Sequence, residues 1–427
     1  MKKSYGKYVF IIPLILLIAG EIAYHFFPSD SDTYFLQDKE TGAVTFNTTR
    51  LKNIYKKYSD IPYNYFNQFK SQKSPGALRI FLIGEASLAG WPYSTTHSIG
   101  KLIETKVEKF AAGKNFEVIT ISFAGFNSFH AAEIIPQTLR FQPDLIILYL
   151  GHNEFYGYKG SSAFGLSKLL TFNMLENLLL NIGVRKSFKY DTKTDDFELL
   201  QPLSSDEKFI YNFGNEYDNT LKNFNENIFR IAELCCKHKV ELIFTDPADN
   251  ILQPRLGIYS LSNQPGADII YNSARMALHR DGNENEAEKL FRQSTELDAF
   301  RLRVPFGFSS DLRKIAENSS LTIADVKGAF SRFSPNHIPG DDLFADYIHP
   351  NLAGLDIIAA EYSRLILDKI LKDSANTEIE DLLNKQETTN TAHLENDFLL
   401  EKKRIEKASI TLRRANLTQK TAPASVK

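Results

Sequence analysis

The sequence predicts an α/β fold in which a parallel sheet is covered by helices on both faces. Its 427 residues are enough for one large α/β domain with additions. Short, almost wholly apolar runs alternate with longer segments whose apolar residues recur at helical spacing. Continuous apolar strands of this kind are typical of parallel strands that are buried on both faces. An apolar N-terminal segment and an inserted helical hairpin are expected in addition.

The N-terminus has the pattern of a membrane anchor. Lys2, Lys3 and Lys7 precede an apolar segment, Tyr8 to Phe27, that is about long enough to cross a bilayer as a helix. The lysines place the N-terminus in the cytoplasm and the rest of the chain outside. A cleaved signal peptide is the alternative, but small residues are poorly placed for cleavage. We therefore expect residues 1–28 to contain an uncleaved transmembrane helix.

Residues 29–77 are polar and aromatic, and we expect them to form a spacer. The sheet begins after this segment. Each of its first three strands ends in a turn of small or polar residues, and the connections have helical periodicity. The predicted elements are, in order, the strand Arg79–Gly84, the helix Ile99–Phe110, the strand Phe116–Ser122, the helix Ser128–Leu139 and the strand Asp144–Leu150.

The second half of the chain is expected to complete one α/β domain that spans residues 78–372. Two further apolar runs have the length and composition of buried strands, and two longer segments have the apolar spacing of helices. These elements are the helix Tyr217–Lys239, the strand Val240–Thr245, the strand Leu321–Val326 and the closing helix Asn351–Leu371.

Residues 267–300 are predicted to be a helical hairpin inserted into this domain. Two helical patterns within Tyr271–Leu297 flank the turn Asp281-Gly282-Asn283. One helix pair cannot bury its own apolar face, so we expect the hairpin to pack on the main domain. The apolar stretch Phe164–Ile182 is predicted to be a helix that covers the site. Residues 373–427 are too polar to form a core and are predicted to be a peripheral tail.

Composition excludes several classes of function. With 50 basic and 52 acidic side chains, the net charge is −2, and nothing indicates a nucleic-acid partner. The sequence has no Gly-rich phosphate loop and no His/Cys cluster at zinc spacing, so we expect neither a cofactor nor a metal. His97 and His130 are interpreted as structural, and His152, which could suggest a metal, has no partner at ligand spacing. The two cysteines, Cys235 and Cys236, are sequence neighbours on a predicted helix and are interpreted mainly as core residues.

Four motifs are predicted to lie at the end of the sheet where chemistry occurs in open α/β folds, the carboxyl ends of the strands. The first consists of the first strand and the turn after it, and reads RIFLIGEASLAGWPY. The next two, SFAGFNS and GHNEFYG, follow the second and third strands. The last, DDLFADYIHP, precedes the closing helix and ends in an aspartate and a histidine three residues apart.

These four motifs resemble the signature blocks of the SGNH (GDSL) hydrolases, in a bacterial, membrane-anchored branch whose first block reads roughly GGSTAxGWPY or GESSxAG. The resemblance covers about Arg79 to Leu371 and implies an SGNH-hydrolase-like (flavodoxin-like) three-layer sandwich with serine ester hydrolase chemistry. The same branch often carries a tetratricopeptide-like helix pair, and Tyr271–Leu297 is similar to one.

The resemblance also implies roles for individual residues. His349 matches the catalytic base of the family, and Asp346 matches the residue that orients that base. Gly125 and Asn153 match the oxyanion donors, and the backbone N–H at the nucleophile position is the third donor. Aligned without gaps, the nucleophilic serine of the family falls on Ala86. Because a methyl group cannot attack a carbonyl, this chain is expected to be inactive as an esterase.

The sequence leaves three interpretations of Ala86 open. In the first, the native residue is serine and this chain carries a deliberate replacement. In the second, the chain is a natural pseudoenzyme that binds an acylated ligand without turning it over. In the third, which we rank lowest, Ser87 acts as nucleophile. We expect an acyl esterase or deacetylase outside the cytoplasm, periplasmic or extracellular, that acts on a glycan or lipid of the cell envelope. The alternatives are a non-catalytic binding or scaffold protein and an O-acyl transferase.

Overall fold

The computed structural model describes residues 33–54, 65–93, 95–110, 113–160, 209–212, 214–257, 265–317, 319 and 321–368. Its first elements fall within the predicted spacer. An antiparallel three-stranded sheet has the order β1-β2-β4, and the separate two-residue strand β3 joins the main sheet. The bounds are β1 (Phe35–Gln37), β2 (Ala43–Phe46), helix α1 (Thr48–Ile54), β3 (Tyr65–Phe66) and β4 (Phe69–Lys70).

The main sheet has six strands, of which five are parallel. The parallel strands are β5 (Leu78–Gly84), β6 (Phe116–Ser122), β7 (Leu145–Tyr149), β8 (Glu241–Thr245) and β9 (Leu321–Ala324). Their order with the edge strand is β3-β6-β5-β7-β8-β9, and β3 pairs antiparallel with β6. The predicted α/β fold with a parallel sheet is therefore confirmed. The last strand is shorter than predicted because Asp325 caps the next helix, accepting a hydrogen bond from the Gly328 N–H (3.1 Å).

Helices bury both faces of the sheet. Side chains alternate along β5, so Phe81 and Ile83 belong to one apolar cluster while Ile80 and Leu82 belong to the other. Helices α3 (Ser128–Thr138), α4 (Asn215–His238) and α7 (Phe306–Glu317) contribute to the first cluster. Helices α2 (Ile99–Phe110), α8 (Val326–Phe333) and α9 (Leu352–Ile366) contribute to the second.

Two further helices, α5 (Ala267–His279) and α6 (Glu284–Leu297), pack against each other. Ala274 and Ala277 of α5 and Phe291 of α6 form a small buried cluster with Ile251 and Ile338. Both isoleucines come from loops of the α/β domain. The pair therefore buries its apolar face partly against that domain, as a single helix pair must.

Some predictions fall outside the described residues. These concern the N-terminal anchor (residues 1–28), the covering helix Phe164–Ile182 and the polar tail (residues 373–427). Within the described ranges, no helix combines the length and apolar character that a membrane crossing requires.

Candidate functional site

The turn after β5 is fixed by close packing at its start. A Cβ atom on Gly84 would lie 2.0 Å from the carbonyl oxygen of Tyr149, so only glycine fits where β5 ends beside β7. A short 3-10 helix, Ala86–Ala89, follows and ends at Gly90, whose φ is 86°. Because Ala86 is the first residue of that helix, its N–H has no intrahelical acceptor.

Glu85 joins this turn to the turn after β7. Its Oε1 atom accepts hydrogen bonds from the N–H groups of Gly151 (2.7 Å) and His152 (2.9 Å). Its Oε2 atom lies 2.9 Å from Nδ1 of His152. Both side chains are buried. A carboxylate with three donors is well satisfied in a buried position, so Glu85 holds the two turns together.

Ser87 is not arranged as a nucleophile. It is 1% exposed, and its side chain interacts with the phenol of Tyr149 in the sheet. Burial, with the charge of Glu85 as a further cause, raises the pKa of Tyr149 well above its ordinary value, so the phenol stays neutral. This burial and this contact argue against the interpretation in which Ser87 acts as nucleophile.

The turn after β6 carries Gly125, which has a φ of 75°. That left-handed conformation favours glycine. Two residues later, Asn127 caps α3 by accepting a hydrogen bond from the N–H of His130. His130 is fully buried, and burial lowers its pKa to about 3. The imidazole is therefore neutral at physiological pH, in agreement with a structural role.

The turn after β7 carries Asn153, which is partly exposed between the buried residues His152 and Glu154. Gly157 connects this turn to the one after β6. A Cβ atom on Gly157 would lie 2.5 Å from the carbonyl oxygen of Asn153 and 2.9 Å from that of Gly125. The carbonyl oxygens of Gly125 and Asn153 therefore both lie close to this one glycine.

The side chains of Asp346 and His349 are hydrogen bonded to each other in the loop before α9. Oδ2 of Asp346 lies 2.8 Å from Nδ1 of His349, and Oδ1 accepts hydrogen bonds from the N–H groups of Ile348 (2.8 Å) and His349 (2.7 Å). With Nδ1 held by the carboxylate, Nε2 is the ring atom left for acid–base chemistry. The side chain of His349 is 8% exposed.

The imidazole is connected to the turn after β5 through Trp91. The ring centroids of Trp91 and His349 are 4.3 Å apart, and the N–H of Trp91 donates to the carbonyl oxygen of Ala86 (3.4 Å). Gly84, the last residue of β5, pairs with both Ser122 of β6 and Tyr149 of β7. The turns that follow these three strands therefore begin next to one another. The structure therefore brings Ala86, Gly125, Asn153 and the Asp346–His349 pair to one edge of the sheet.

Sequence reasoning missed three residues that hold this edge together: Glu85, Glu154 and Asn250. Asn250, after β8, donates from Nδ2 to the carbonyl oxygen of Asp346 (3.0 Å), and its N–H donates to that of Tyr347 (3.0 Å). Each of the three follows the end of a parallel strand, and that position was the available signal. Their partners, which lie far away in the sequence, were not visible.

The described residues contain no group of three or more His, Cys, Asp or Glu side chains that would hold a metal ion. The groups at this end of the sheet are a carboxylate–imidazole pair, Asp346 and His349, together with backbone and amide N–H donors. Burial raises the pKa of nearby Tyr93 to about 12, and the charge of Asp346 adds to the effect. That phenol is therefore neutral at physiological pH.

No protein-family model matches the chain, and no curated protein matches it. Among solved structures, it is similar to the lipase/acylhydrolase from Enterococcus faecalis, with 14% identity, coverage of 68% of this chain and 95% of that one, and a TM-score of 0.36. A GDSL-like lipase from Bacteroides thetaiotaomicron has 12% identity, coverage of 70% and 92%, and a TM-score of 0.35. An acetyl xylan esterase has 12% identity, coverage of 68% and 100%, and a TM-score of 0.36.

These similar structures are lipolytic and ester hydrolases, the class that the sequence motifs resemble. Identities and TM-scores of this size carry no argument about activity.

Proposed function

We propose that this chain carries an ester-hydrolase site of the SGNH type in which Ala86 occupies the position of the nucleophile. The observation that carries the proposal is the Asp346–His349 pair. Both carboxylate oxygens of Asp346 are engaged, and the imidazole lies against Trp91, which is itself hydrogen bonded to Ala86. An oriented base beside the first residue of a strand-end helix is what acyl transfer by a serine requires.

With serine at position 86, the reaction would proceed in two balanced steps. Nε2 of His349 takes the hydroxyl proton as the oxygen attacks the ester carbonyl, and the proton is then given to the leaving alcohol. Water next attacks the acyl-serine and loses its proton to His349, which returns that proton to the serine oxygen as the carboxylic acid is released. Asp346 keeps Nδ1 protonated and stabilises the imidazolium that forms in each step.

Three groups are proposed to hold the oxyanion: the N–H of residue 86, the N–H of Gly125 and the side-chain amide of Asn153. The N–H of residue 86 starts a 3-10 helix, Gly125 has a φ of 75°, and Asn153 is partly exposed beside buried neighbours. None of these three donors requires a hydroxyl at position 86. The chain with Ala86 therefore retains the means to bind an ester carbonyl.

A second candidate function is that of a non-catalytic protein that binds an acylated ligand. Ala86 itself favours it, because the chain has no hydroxyl at the position of the nucleophile and Ser87 is buried beside Tyr149. The two functions share the same site and ligand class. They differ in whether restoring serine restores turnover.

The substrate class is proposed from the N-terminal sequence. Three lysines followed by an apolar segment of bilayer-spanning length support a single-pass protein of a bacterial cytoplasmic membrane, with the α/β domain outside. At that location, the accessible acyl esters are those of envelope glycans and lipids. We propose that the ligand is one of these.

The test measures the hydrolysis of short-chain nitrophenyl esters by two full-length proteins, the unaltered chain and its Ala86→Ser variant. We expect hydrolysis by the serine variant and none above background by the chain itself. The control is the double variant Ala86→Ser with His349→Ala, which should lose the restored activity. A folded Ala86→Ser protein that hydrolyses no ester, including acetylated glycans, would leave the binding function as the better account.

A further inference from the structure

We propose that Glu154 is a positioning residue that aligns the oxyanion donors of two turns. The inference rests on the proposed function, because it concerns how the donors of that site are held. Glu154 itself is 1% exposed and has no proposed contact with the substrate.

On one side, Glu154 is bonded to the turn after β6. The N–H of Ser128 donates to Oε1 of Glu154 (2.8 Å), and the hydroxyl of Ser128 lies 2.7 Å from Oε2. Ser128 is the first residue of α3 and lies three residues after Gly125. Asn227 of α4 donates from Nδ2 to the same hydroxyl (3.0 Å), which fixes Ser128 from the opposite helix.

On the other side, Glu154 belongs to the turn after β7 and follows Asn153 directly. The N–H of Gly157 closes this turn by donating to the carbonyl oxygen of Asn153 (2.7 Å). Asn127 ties the same turn to α3 by donating from Nδ2 to the carbonyl oxygen of Tyr158 (2.7 Å). Together with Asn127, Glu154 therefore connects, through its side chain, the segments that carry the two donors, Gly125 and Asn153.

The charges around Glu154 favour its neutral form. The turn after β5 presents Glu85, which is paired with His152 from the same turn as Glu154. The groups from α3 and α4, Ser128 and Asn227, carry no charge. Burial raises the pKa of Glu154 to about 8, and the charge of Glu85 also raises it, although the bonds from Ser128 lower it. At neutral pH Glu154 is therefore mostly uncharged.

Ionisation of Glu154 would place a second negative charge in this buried region. Repulsion from Glu85 would then act between the turn after β5 and the turn after β7. Because Glu85 fixes the N–H groups of Gly151 and His152, this repulsion would displace the segment that carries Asn153. The consequence is a loss of oxyanion alignment at alkaline pH, which lowers kcat more than it changes KM.

The experiment measures kcat and KM for nitrophenyl ester hydrolysis from pH 6 to pH 9.5, with full-length Ala86→Ser as the reference. A group whose pKa is about 8 is about one-tenth protonated at pH 9, so we expect kcat there to be about tenfold below its value at neutral pH. Adding Glu154→Gln, which is permanently neutral, should remove that fall. Adding Glu133→Gln, a change at a glutamate of α3, should leave it unchanged.

The outcomes are separable. If Ala86→Ser is folded but inactive at every pH, the proposed function fails and this inference fails with it. If Ala86→Ser is active and the added Glu154→Gln change leaves the alkaline fall in place, only the inference is overturned. If the protein with Glu154→Gln does not fold, infrared titration of the unaltered chain decides. A carbonyl stretch of a protonated carboxylic acid that disappears around pH 8 supports the inference, and its absence at pH 7 overturns it.

Discussion

Replacing Glu85 with alanine tests whether the buried carboxylate holds the edge of the sheet together. In the structure this group accepts hydrogen bonds from two backbone N–H groups and lies 2.9 Å from Nδ1 of His152. Alanine would leave these donors without an acceptor in a region that excludes water. A hydrogen-bond donor left unsatisfied by burial costs about 1–3 kcal/mol.

Three such donors would cost roughly 3–9 kcal/mol if they acted independently. The three donors share one carboxylate group, so their contributions are not independent. Relaxation of the turn would also let water reach some of them. The lower part of that range therefore applies. We expect Glu85→Ala to lower the free energy of unfolding by about 4 kcal/mol. Glu85→Gln keeps an oxygen for the backbone donors, and His152 can accept from its amide in the other tautomer. That variant should lose only about 1 kcal/mol.

The assay is urea unfolding of the full-length proteins, followed by circular dichroism and intrinsic fluorescence. Glu104→Ala is the surface control, because it removes an exposed ion pair with Lys101 on α2 and should cost less than about 1 kcal/mol. A loss of less than about 1 kcal/mol for Glu85→Ala would refute the reasoning, since it would mean that the donors find other partners.

Two further predictions concern neighbouring parts of the site. Because burial lowers the pKa of His130 to about 3, its contribution to stability should be present in full above about pH 6.5 and lost as the pH falls toward 3. His130→Gln should remove that part of the pH dependence, as measured by urea unfolding at a series of pH values; identical acid profiles would contradict the assignment. Gly84→Ala should cost several kcal/mol or prevent folding, because its Cβ atom would lie 2.0 Å from the carbonyl oxygen of Tyr149. Gly113→Ala, with nothing within 4 Å of the added atom, should cost about 1 kcal/mol by the same measurement.

The parallel sheet could be predicted from sequence because its strands are apolar on both faces. The strand Phe116–Ser122 and the helix Ile99–Phe110 have the predicted bounds. Where the prediction extended too far, as in Leu321–Val326, a helix cap ended the strand: Asp325 binds the N–H of Gly328. A prediction based on the apolar pattern alone overlooks such a side-chain cap, because the apolar run continues past the residue at which the strand ends.

The site could be predicted only in part. Motifs identified the Asp346–His349 pair because both residues lie in one short segment, and the structure places them in contact. The contacts of Glu85 and Glu154 cross from one turn to another, over separations of 67 and 26 residues. No local pattern specifies such partners, because they depend on which strands are neighbours in the sheet. The catalytic roles assigned to Ala86 and His349 stay predictions.

The short strand β3 bears on how this protein can be shortened for experiments. It lies along the outer side of β6, where Asn67 continues the cover by donating to the carbonyl oxygen of Val118 (2.7 Å) and accepting from the N–H of Thr120 (2.7 Å). A fragment that began at residue 78 would uncover these backbone groups along an apolar strand. Bare strand edges of this kind recruit other chains into aggregates. An expression fragment designed from the hydrolase motifs alone would thus be prone to precipitate. A fragment that began before Thr33 would keep β3 and Asn67, which cover the outer side of β6.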